Sequence, residues 1–327
     1  MKLRRIIAIL CAFSLMFCLA ACSGDKEDEG NTLTVAYQYG ISYAPLMVVM
    51  EQKLIEKNYG EEIEIEWLQL SSGAAINEAF AAGDVDVAAM GIAPAITGVM
   101  NGIPYKICSN VSAQPHKIMT TSDTIKALAD IDEEQIALVN IGSIQHILLA
   151  MACEKELGDA RALDDNIAAM SHPDGMTSLL SGSVSIHLTT APYIQQELAA
   201  EEKEVSTLYD IADVWAEGNS FIVGLASTQL HDSNPELYNA VCKAFEESMT
   251  YINENREEAA ALLAKMQGCT TEEMLDWLSD PACIYDSTPK GVMEMADFMA
   301  EHSFIANGPS ALSDVAYDNV VSMENAS

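Results

Sequence analysis

The chain has 327 residues, a formal net charge of −33 at pH 7 and a composition that is 50% hydrophobic. An acidic surplus of this size excludes nucleic acid as a partner, because its phosphates would be repelled. A chain of this length buries a large core and favours two lobes over one.

The N-terminal segment is typical of a bacterial lipoprotein signal peptide. Lys2, Arg4 and Arg5 form a basic start, and residues 6–18 form an apolar stretch. Leu-Ala-Ala then precedes Cys22. Cleavage before Cys22 would leave that cysteine as the attachment point for a lipid anchor.

This segment predicts where the mature protein lies. We expect a signal peptide over residues 1–21, a polar flexible tether over 22–31, and a lipid anchor at Cys22 that holds the protein on the extracytoplasmic face of the cell membrane. Cleavage would leave 13 basic residues against 49 acidic ones, a formal charge of −36. The alternative is an uncleaved transmembrane anchor over residues 6–22, which is near the lower length limit for crossing a bilayer.

Short β-type runs alternate with helical segments from residue 32 onward. The strands expected in the first set are residues 33–37, 63–67, 85–89 and 105–108. The helices expected between them are residues 45–57, 74–82 and 94–101. Strands separated by helices of this length predict right-handed crossovers and a mainly parallel sheet covered on both faces.

A second α/β set follows, and the last hundred residues look helical. The strands expected in this set are residues 136–139, 167–170, 185–188 and 221–225. In the helical part, Asn255 with Glu258 and Thr270 with Glu273 have capping-box spacing, which predicts helices beginning one residue after each cap.

Five cysteines follow Cys22, and no C-x-x-C spacing indicates a metal or redox site. Cys269 and Cys283 are close enough in sequence to form a disulfide. We expect them instead to serve as small buried apolar residues.

Three strand-to-helix junctions could hold a ligand: residues 71–73, 90–94 and 140–146. Each places backbone N–H groups at a helix N-terminus, and two of them add a serine hydroxyl, an arrangement that suits an oxyanion. The alternative for each serine is an ordinary helix cap.

The order and spacing of several motifs resemble one protein family. These motifs are Ala44-Pro45-Leu46, Ser71-Ser72-Gly73, the run Ala82 to Val87, Gly91 with Pro94-Ala95, Asn101 to Pro104, Gly142-Ser143, and Leu180 to Val184 with Pro192. Over about residues 32–319 the chain is similar to the nitrate/sulfonate/taurine type of ABC-transporter substrate-binding proteins. That resemblance implies a type II periplasmic-binding-protein fold, with two α/β lobes around a ligand cleft that closes by hinge bending.

The resemblance also implies domain limits and ligand contacts. The first lobe would span residues 32–108 plus 225–327, and the second residues 109–224. The implied ligand-binding residues are Tyr39, Tyr43, Ala44, Ser71, Ser72, Gly73, Gly91, Ile92, Gly142, Ser143, Gln145, His146, Thr189 and Thr190. Many relatives have an acidic residue before the proline at position 192, where this chain has Thr-Thr-Ala, and the ligand is therefore left open.

Other candidate residues are expected to be structural. Asp84 and Asp86 resemble a metal pair, yet their place after Gly83 favours hydrogen bonds that hold the turn and the strand end. The remaining histidines lack metal-ligand spacing and are expected to be structural. They are His116, His172, His187, His231 and His302.

The sequence therefore predicts a monomeric solute-binding lipoprotein that needs no cofactor or metal and delivers its solute to an ABC permease. A sulfonate, taurine or nitrate is the first ligand class, on the strength of Ser71 to Gly73 and Gly142-Ser143. A pyrimidine or other thiamine-precursor ring is the second, because the first loop is rich in tyrosine. Two alternatives are an enzyme on the same fold, although no nucleophile or zinc motif supports it, and a solute sensor.

Overall fold

The computed structural model describes residues 32–201 and 203–324, and its strands form two sheets. The predicted signal peptide, Cys22 and the tether lie outside these residues. The strands are β1 (Thr32–Tyr37), β2 (Glu64–Gln69), β3 (Val87–Gly91), β4 (Tyr105–Ser112), β5 (His116–Thr120), β6 (Ile136–Leu138), β7 (Ile167–Ala169), β8 (Ile186–Thr190), β9 (Ser206–Asp210) and β10 (Ile222–Ser227).

Helices cover both sheets. They are α1 (Ala44–Gln52), α2 (Leu54–Tyr59), α3 (Gly73–Ala82), α4 (Ile92–Met100), α5 (Ile144–Leu157), α6 (His172–Ser181), α7 (Tyr193–Leu198), α8 (Thr228–Ser233), α9 (Pro235–Glu254), α10 (Arg256–Gln267), α11 (Thr271–Ser279), α12 (Val292–Glu301), α13 (Leu312–Val315) and α14 (Asp318–Glu324). Short 3₁₀ segments lie at Ile41–Tyr43, Leu128–Asp130, Asp164–Asn166 and Ile211–Asp213. Among the described residues, no helix is long and apolar enough to cross a membrane.

The first sheet has the order β2-β1-β3-β10-β4. Strand β1 pairs in parallel with β2 and β3, as the alternation of strands and helices predicts. Strand β10 returns from the second half of the chain and inserts antiparallel between β3 and β4. Strands β2, β1, β3 and β4 run in one direction, so this sheet is mainly parallel as expected. Strand β10 runs against them, and the sequence analysis did not place it in this sheet.

The second sheet repeats the plan with the order β7-β6-β8-β5-β9. Strand β6 is parallel to β7 and β8, and β5 lies antiparallel between β8 and β9. The sequence analysis did not predict β5 or β9. Both are short, and β9 is partly exposed, so neither carries a strong apolar run.

The chain crosses between the sheets after β4 and again before β10. The predicted lobe limits after residues 108 and 224 fall inside these two strands, and they stay a prediction. The C-terminal helices return to the first sheet, where α12 packs on α4 and the Tyr317 hydroxyl donates to the carbonyl of Ala226.

Local signals set several helix ends. Helix α3 ends at Gly83, which has a φ of 80°, as a glycine stop predicts. Thr270 and Glu273 form the predicted capping box of α11. Helix α10 begins at the predicted residue, but the Asn255 side chain makes no cap hydrogen bond there. The helix expected over residues 45–57 is broken at Lys53, whose φ is 53°.

Candidate functional site

A narrow cleft lies where the helices of both sheets begin, and it has a volume of about 30 Å³. The first lobe contributes residues at or just after the ends of β1, β2 and β3, and the second contributes residues at or just after the ends of β6, β7 and β8. Phe221 and Ile222, at the start of β10, also line it. Ligands of open α/β sheets bind at this position, outside the carboxyl ends of the strands.

Five helix N-termini meet at the cleft, those of α1, α3, α4, α5 and α6. Each brings the partial positive charge of its first turn. Pro45, Pro94 and Pro173 remove an N–H donor from three of these first turns. The first turns of α3 in the first lobe and of α5 in the second contain no proline and keep all their backbone N–H groups. Among the described residues lining the cleft there is no Asp, Glu, Lys or Arg.

The serines at these two helices have different tasks. Ser72 is the N-cap of α3, and its hydroxyl accepts a hydrogen bond from the N–H of Ala75. Ser143 caps α5 by accepting from the N–H of His146, and it also lines the cleft. A capping hydroxyl keeps its own hydrogen, so Ser143 has a donor for a ligand. Ser71 lines the cleft beside Gly73.

Gln145 and His172 form a buried polar wall of the cleft. The Nε2 atoms of the two side chains are 3.2 Å apart, and Nδ1 of His172 lies 3.5 Å from the Thr189 hydroxyl. His172 stacks on Tyr193 with ring centroids 5.4 Å apart. Burial, with a contribution from His187, lowers the pKa of His172 to about 3. The imidazole facing the cleft is therefore neutral at pH 7.

A second buried pair lies behind this wall. Nδ1 of His187 and Oε1 of Glu197 are 2.6 Å apart, and both side chains are fully buried. Burial raises the pKa of Glu197 to about 8 and lowers that of His187 to about 3. Burial disfavours the charged form of both groups, so at pH 7 the pair is neutral, with a protonated Glu197 that donates to Nδ1 of His187.

The two lobes touch directly beside the cleft. A Cβ atom added to Gly91 would lie 2.9 Å from Cγ2 of Ile144, the first residue of α5. A Cβ atom on Gly40, at the end of the first-lobe loop, would lie 3.5 Å from the ring of Tyr193. The structure therefore has the lobes in contact, and glycine permits this approach at position 91.

Most of the predicted ligand-binding residues lie together in this cleft. They are Tyr39, Tyr43, Ser71, Gly73, Gly91, Ser143, Gln145 and Thr190. Their contact with a ligand stays a prediction.

The other predicted ligand-binding residues do not line the cleft. They are Ala44, Ser72, Ile92, Gly142, His146 and Thr189. Ala44 and Ile92 are fully buried in the core. The ring nitrogens of His146 are both engaged: Nδ1 accepts from the N–H of Gly142, and Nε2 donates to Asp164. The N–H of Gly142 is therefore already hydrogen-bonded within the protein. Thr189 contacts His172 rather than the cleft.

Some cleft residues were not predicted. They are Gln38, Val139, Ser171, His172, Phe221 and Ile222. Ser42, Pro94 and Ile144 also line the cleft, and each lies in a loop that was expected to contact the ligand. His172 was expected to be structural, yet it lines the cleft. One sequence signal could have found it: Ser171 follows a predicted strand and is the N-cap of α6, so this junction is of the same kind as the three that were expected to hold a ligand.

The remaining candidates have structural places. The Asp86 carboxylate accepts a hydrogen bond from the N–H of Thr34, so it holds a strand end as expected. Cys269 and Cys283 are free, together with the other cysteines that the structure describes. No group of three or more His, Cys, Asp or Glu within residues 32–201 and 203–324 is placed to hold a metal ion.

Two α/β lobes with a ligand cleft between them define the periplasmic-binding-protein class of fold, and comparisons with known proteins agree. The profile of the NMT1-like family matches residues 26–267, and the chain belongs to this family. The "Putative aliphatic sulfonates-binding protein" of Escherichia coli (strain K12) is 24% identical over 282 residues, which are 84% of this chain and 83% of that protein.

Solved structures share the fold. The alkanesulfonate-binding protein SsuA from Xanthomonas axonopodis pv. citri, bound to MOPS, has a TM-score of 0.72 at 17% identity, over 88% of this chain and 99% of that one. The periplasmic nitrate-binding protein NrtA from Synechocystis PCC 6803 has a TM-score of 0.70 at 15% identity, over 90% of this chain and 88% of that one.

Proposed function

We propose that this protein is the extracytoplasmic solute-binding component of an ABC importer, and that it closes its two lobes around a small sulfonate, taurine or nitrate. Membership of the NMT1-like family and the names of the sulfonate- and nitrate-binding relatives support this role. The protein would then deliver the solute to a membrane permease.

One observation carries the proposal: the first turns of α3 and α5, from opposite lobes, meet at a cleft that has no carboxylate among its described lining residues. A helix N-terminus stabilises an anion by about 0.3–1 kcal/mol when exposed and by up to about 2 kcal/mol when partly buried. Because the two helices belong to different lobes, both stabilise the anion only when the lobes are closed around it. Binding of the anion would therefore favour the closed form.

A heteroaromatic ring is the second candidate, and a different observation favours it. Tyr39, Tyr43 and Phe221 line the cleft, and the amides of Gln38 and Gln145 lie beside them. Aromatic side chains stack on a flat ring, while amides match its nitrogen and exocyclic groups. No cationic side chain among the described lining residues offers an anion a full countercharge.

A thermal-shift panel distinguishes the two classes. It contains taurine, ethanesulfonate, nitrate and a hydroxymethylpyrimidine, each tested with wild-type protein and with Ser143→Ala. A sulfonate that raises the Tm of wild-type protein and raises it less in the variant supports the first class. A pyrimidine that raises the Tm equally in both proteins supports the second, and no Tm rise with any solute would contradict the binding role.

The predicted anchor has its own test. If Cys22 carries the lipid, Cys22→Ala releases the protein from the membrane fraction into the medium or the periplasm, whereas Cys269→Ala leaves it on the membrane. Membrane retention of Cys22→Ala would support the uncleaved transmembrane anchor instead.

We propose further that the protein acts as a monomer and leaves its solute unchanged. The lining of the cleft supports the second statement, since none of its described hydroxyl groups pairs with an imidazole as a hydrolase nucleophile does. The Ser171 hydroxyl donates to the Asp174 carboxylate within the cap of α6. Recovery of a converted solute after incubation would contradict it.

A further inference from the structure

A cluster of contacts outside the lining of the cleft joins the two lobes, and we name it the clasp. It consists of Arg161 from the turn after α5 and residues 302–304 from the turn after α12. The Arg161 guanidinium donates from Nη2 to the carbonyl oxygens of His302 and Ser303, each at 3.3 Å. Its Cζ atom lies 3.6 Å from the centroid of the Phe304 ring. The three contacts match the planar, multi-donor shape of arginine.

The two sides of the clasp belong to different lobes. Helix α12 packs on α4, which borders the first sheet, and the N–H of Phe304 donates to the carbonyl of Met299 within this layer. Arg161 follows α5, which packs against β8 of the second sheet. Opening of the lobes would therefore pull the guanidinium away from both carbonyls and from the ring.

A chain of hydrogen bonds leads from the clasp to the cleft. Nη1 of Arg161 donates to Asp164 at 2.9 Å, and the other carboxylate oxygen of Asp164 accepts from Nε2 of His146 at 2.9 Å. Nδ1 of His146 accepts from the N–H of Gly142 at 2.9 Å. The His146 ring also meets Phe304 edge to face, with ring centroids 5.2 Å apart.

This chain ends at the turn that begins α5. Gly142 has a φ of 82°, a conformation that favours glycine, and it directly precedes the cleft residue Ser143. The His146 side chain is almost fully buried and thus has little freedom to move. The position of the Ser143 turn therefore depends on where Asp164 holds His146.

The geometry points to Arg161 as a positioning residue of the solute site: it stabilises the closed lobe pair through the clasp and fixes the Gly142-Ser143 turn through Asp164 and His146. This inference rests on the proposed solute-binding function. For a protein that binds its solute in the closed form, the apparent Kd equals the intrinsic Kd divided by the closed fraction. A contact made only in the closed form therefore raises affinity without touching the solute.

The experiment compares Arg161→Ala, Arg161→Lys and Phe304→Leu with wild-type protein. Lys155→Ala is the matched control, because Lys155 is also a cation of the second lobe, yet its Nζ donates to the carbonyl of Asp213 within that lobe. Affinity for taurine is measured by isothermal titration calorimetry. Two measurements without solute accompany it: the radius of gyration from small-angle X-ray scattering, and hydrogen exchange of the peptide containing Gly142.

We expect Arg161→Ala to raise the Kd for taurine about tenfold, since it removes the two charge-assisted hydrogen bonds and the cation–π contact between the lobes, and the hydrogen bond to Asp164 as well. Phe304→Leu should raise the Kd about threefold, because it removes the ring contacts with Arg161 and His146 but keeps the hydrogen bonds of Arg161. Arg161→Lys keeps the positive charge but loses the planar group with several N–H donors, so its Kd should lie between those of wild type and Arg161→Ala. Lys155→Ala should stay within about twofold of wild type, as an exposed contact inside one lobe does.

The measurements without solute separate this inference from the function. If taurine binds to no form of the protein, but Arg161→Ala is more open than wild type and exchanges faster at Gly142, the clasp stands and taurine is not the solute. If Arg161→Ala leaves the Kd, the radius of gyration and the exchange at Gly142 all unchanged, the inference is overturned. A loss of affinity in Lys155→Ala as large as that in Arg161→Ala would also overturn it, since net charge would then be the cause.

Discussion

Gly91 and Ile144 meet where the two lobes touch, and one methyl group at position 91 tests this contact. Gly91 has a φ of −54° and a ψ of 142°, values that alanine adopts without strain. The effect of Gly91→Ala is therefore steric. The new Cβ would lie 2.9 Å from Cγ2 and 3.3 Å from Cβ of Ile144, whereas carbon atoms pack best at about 3.5–4.0 Å.

The size of the effect follows from this overlap. Relief requires the lobes to separate by about 0.6 Å at this point, or Ile144 to leave its buried position. Overpacking of this kind costs about 1–3 kcal/mol. Because the cost falls on the closed form, the Kd for the solute should rise by about 5- to 150-fold. The free energy of unfolding without solute should change little, since the lobes can relax by opening.

The assay is calorimetric titration of Gly91→Ala with the solute identified in the thermal-shift panel, together with urea unfolding without solute. Gly91→Ala/Ile144→Ala is the matched control, because it removes the Cγ2 atom that the new methyl would meet. Partial recovery of affinity in the double variant would locate the clash at this contact. Wild-type affinity in Gly91→Ala would refute the idea that the lobes bind solute in the contact described here.

Two further predictions concern the caps and the buried histidines. Both Ser72→Ala and Ser143→Ala remove a helix cap and should cost about 1 kcal/mol of folding stability, which urea unfolding measures. Ser143→Ala should also weaken binding of an anion by about 1–3 kcal/mol, because it removes a hydrogen bond to charge, whereas Ser72→Ala should leave affinity unchanged. Titration measures the affinities, and equal losses of affinity would contradict the assignment. Three histidines have a pKa lowered to about 3 by burial: His116, His172 and His187. Below about pH 6.5 the unfolded chain binds protons on these histidines and the folded protein does not, so the free energy of unfolding should fall as the pH drops from 6.5 towards 3. The pKa of Glu197 is raised to about 8, so between about pH 4.5 and 6.5 the folded protein holds one proton that the unfolded chain lacks, which offsets one of the three histidines. Glu197 should also make stability fall as the pH rises from 6.5 to 8, and urea unfolding that gives a flat profile from pH 4.5 to 8 would contradict this account.

The sequence was most informative where one local rule determines the structure. Thr270 and Glu273 lie three residues apart, and their capping box needs no other part of the chain. The same spacing at Asn255 gives a helix start without the side-chain cap, because the Asn255 amide donates instead to the carbonyl of Tyr251 at the end of α9. Short motifs after strands likewise located most residues of the cleft.

The sequence was less informative where distant residues compete for one group. His146 has the spacing of a cleft residue, yet Asp164 engages its Nε2 atom from a turn 18 residues away. His172 enters the cleft because the start of α6 lies beside the α5 terminus; Ser171 indicates a helix start there, but no local pattern indicates what that start faces. The antiparallel insertion of β10 likewise depends on a strand pairing across more than a hundred residues.

Native mass spectrometry of the protein, purified without denaturation, tests the central proposal most directly, because a closed lobe pair retains the solute that it captured from its host. We expect a complex that exceeds the mass of the chain by that of one small solute, which is released on denaturation and matches a sulfonate, taurine or nitrate. A retained pyrimidine would support the second ligand class. An empty protein whose Tm does not rise with any solute of the panel would contradict the solute-binding function.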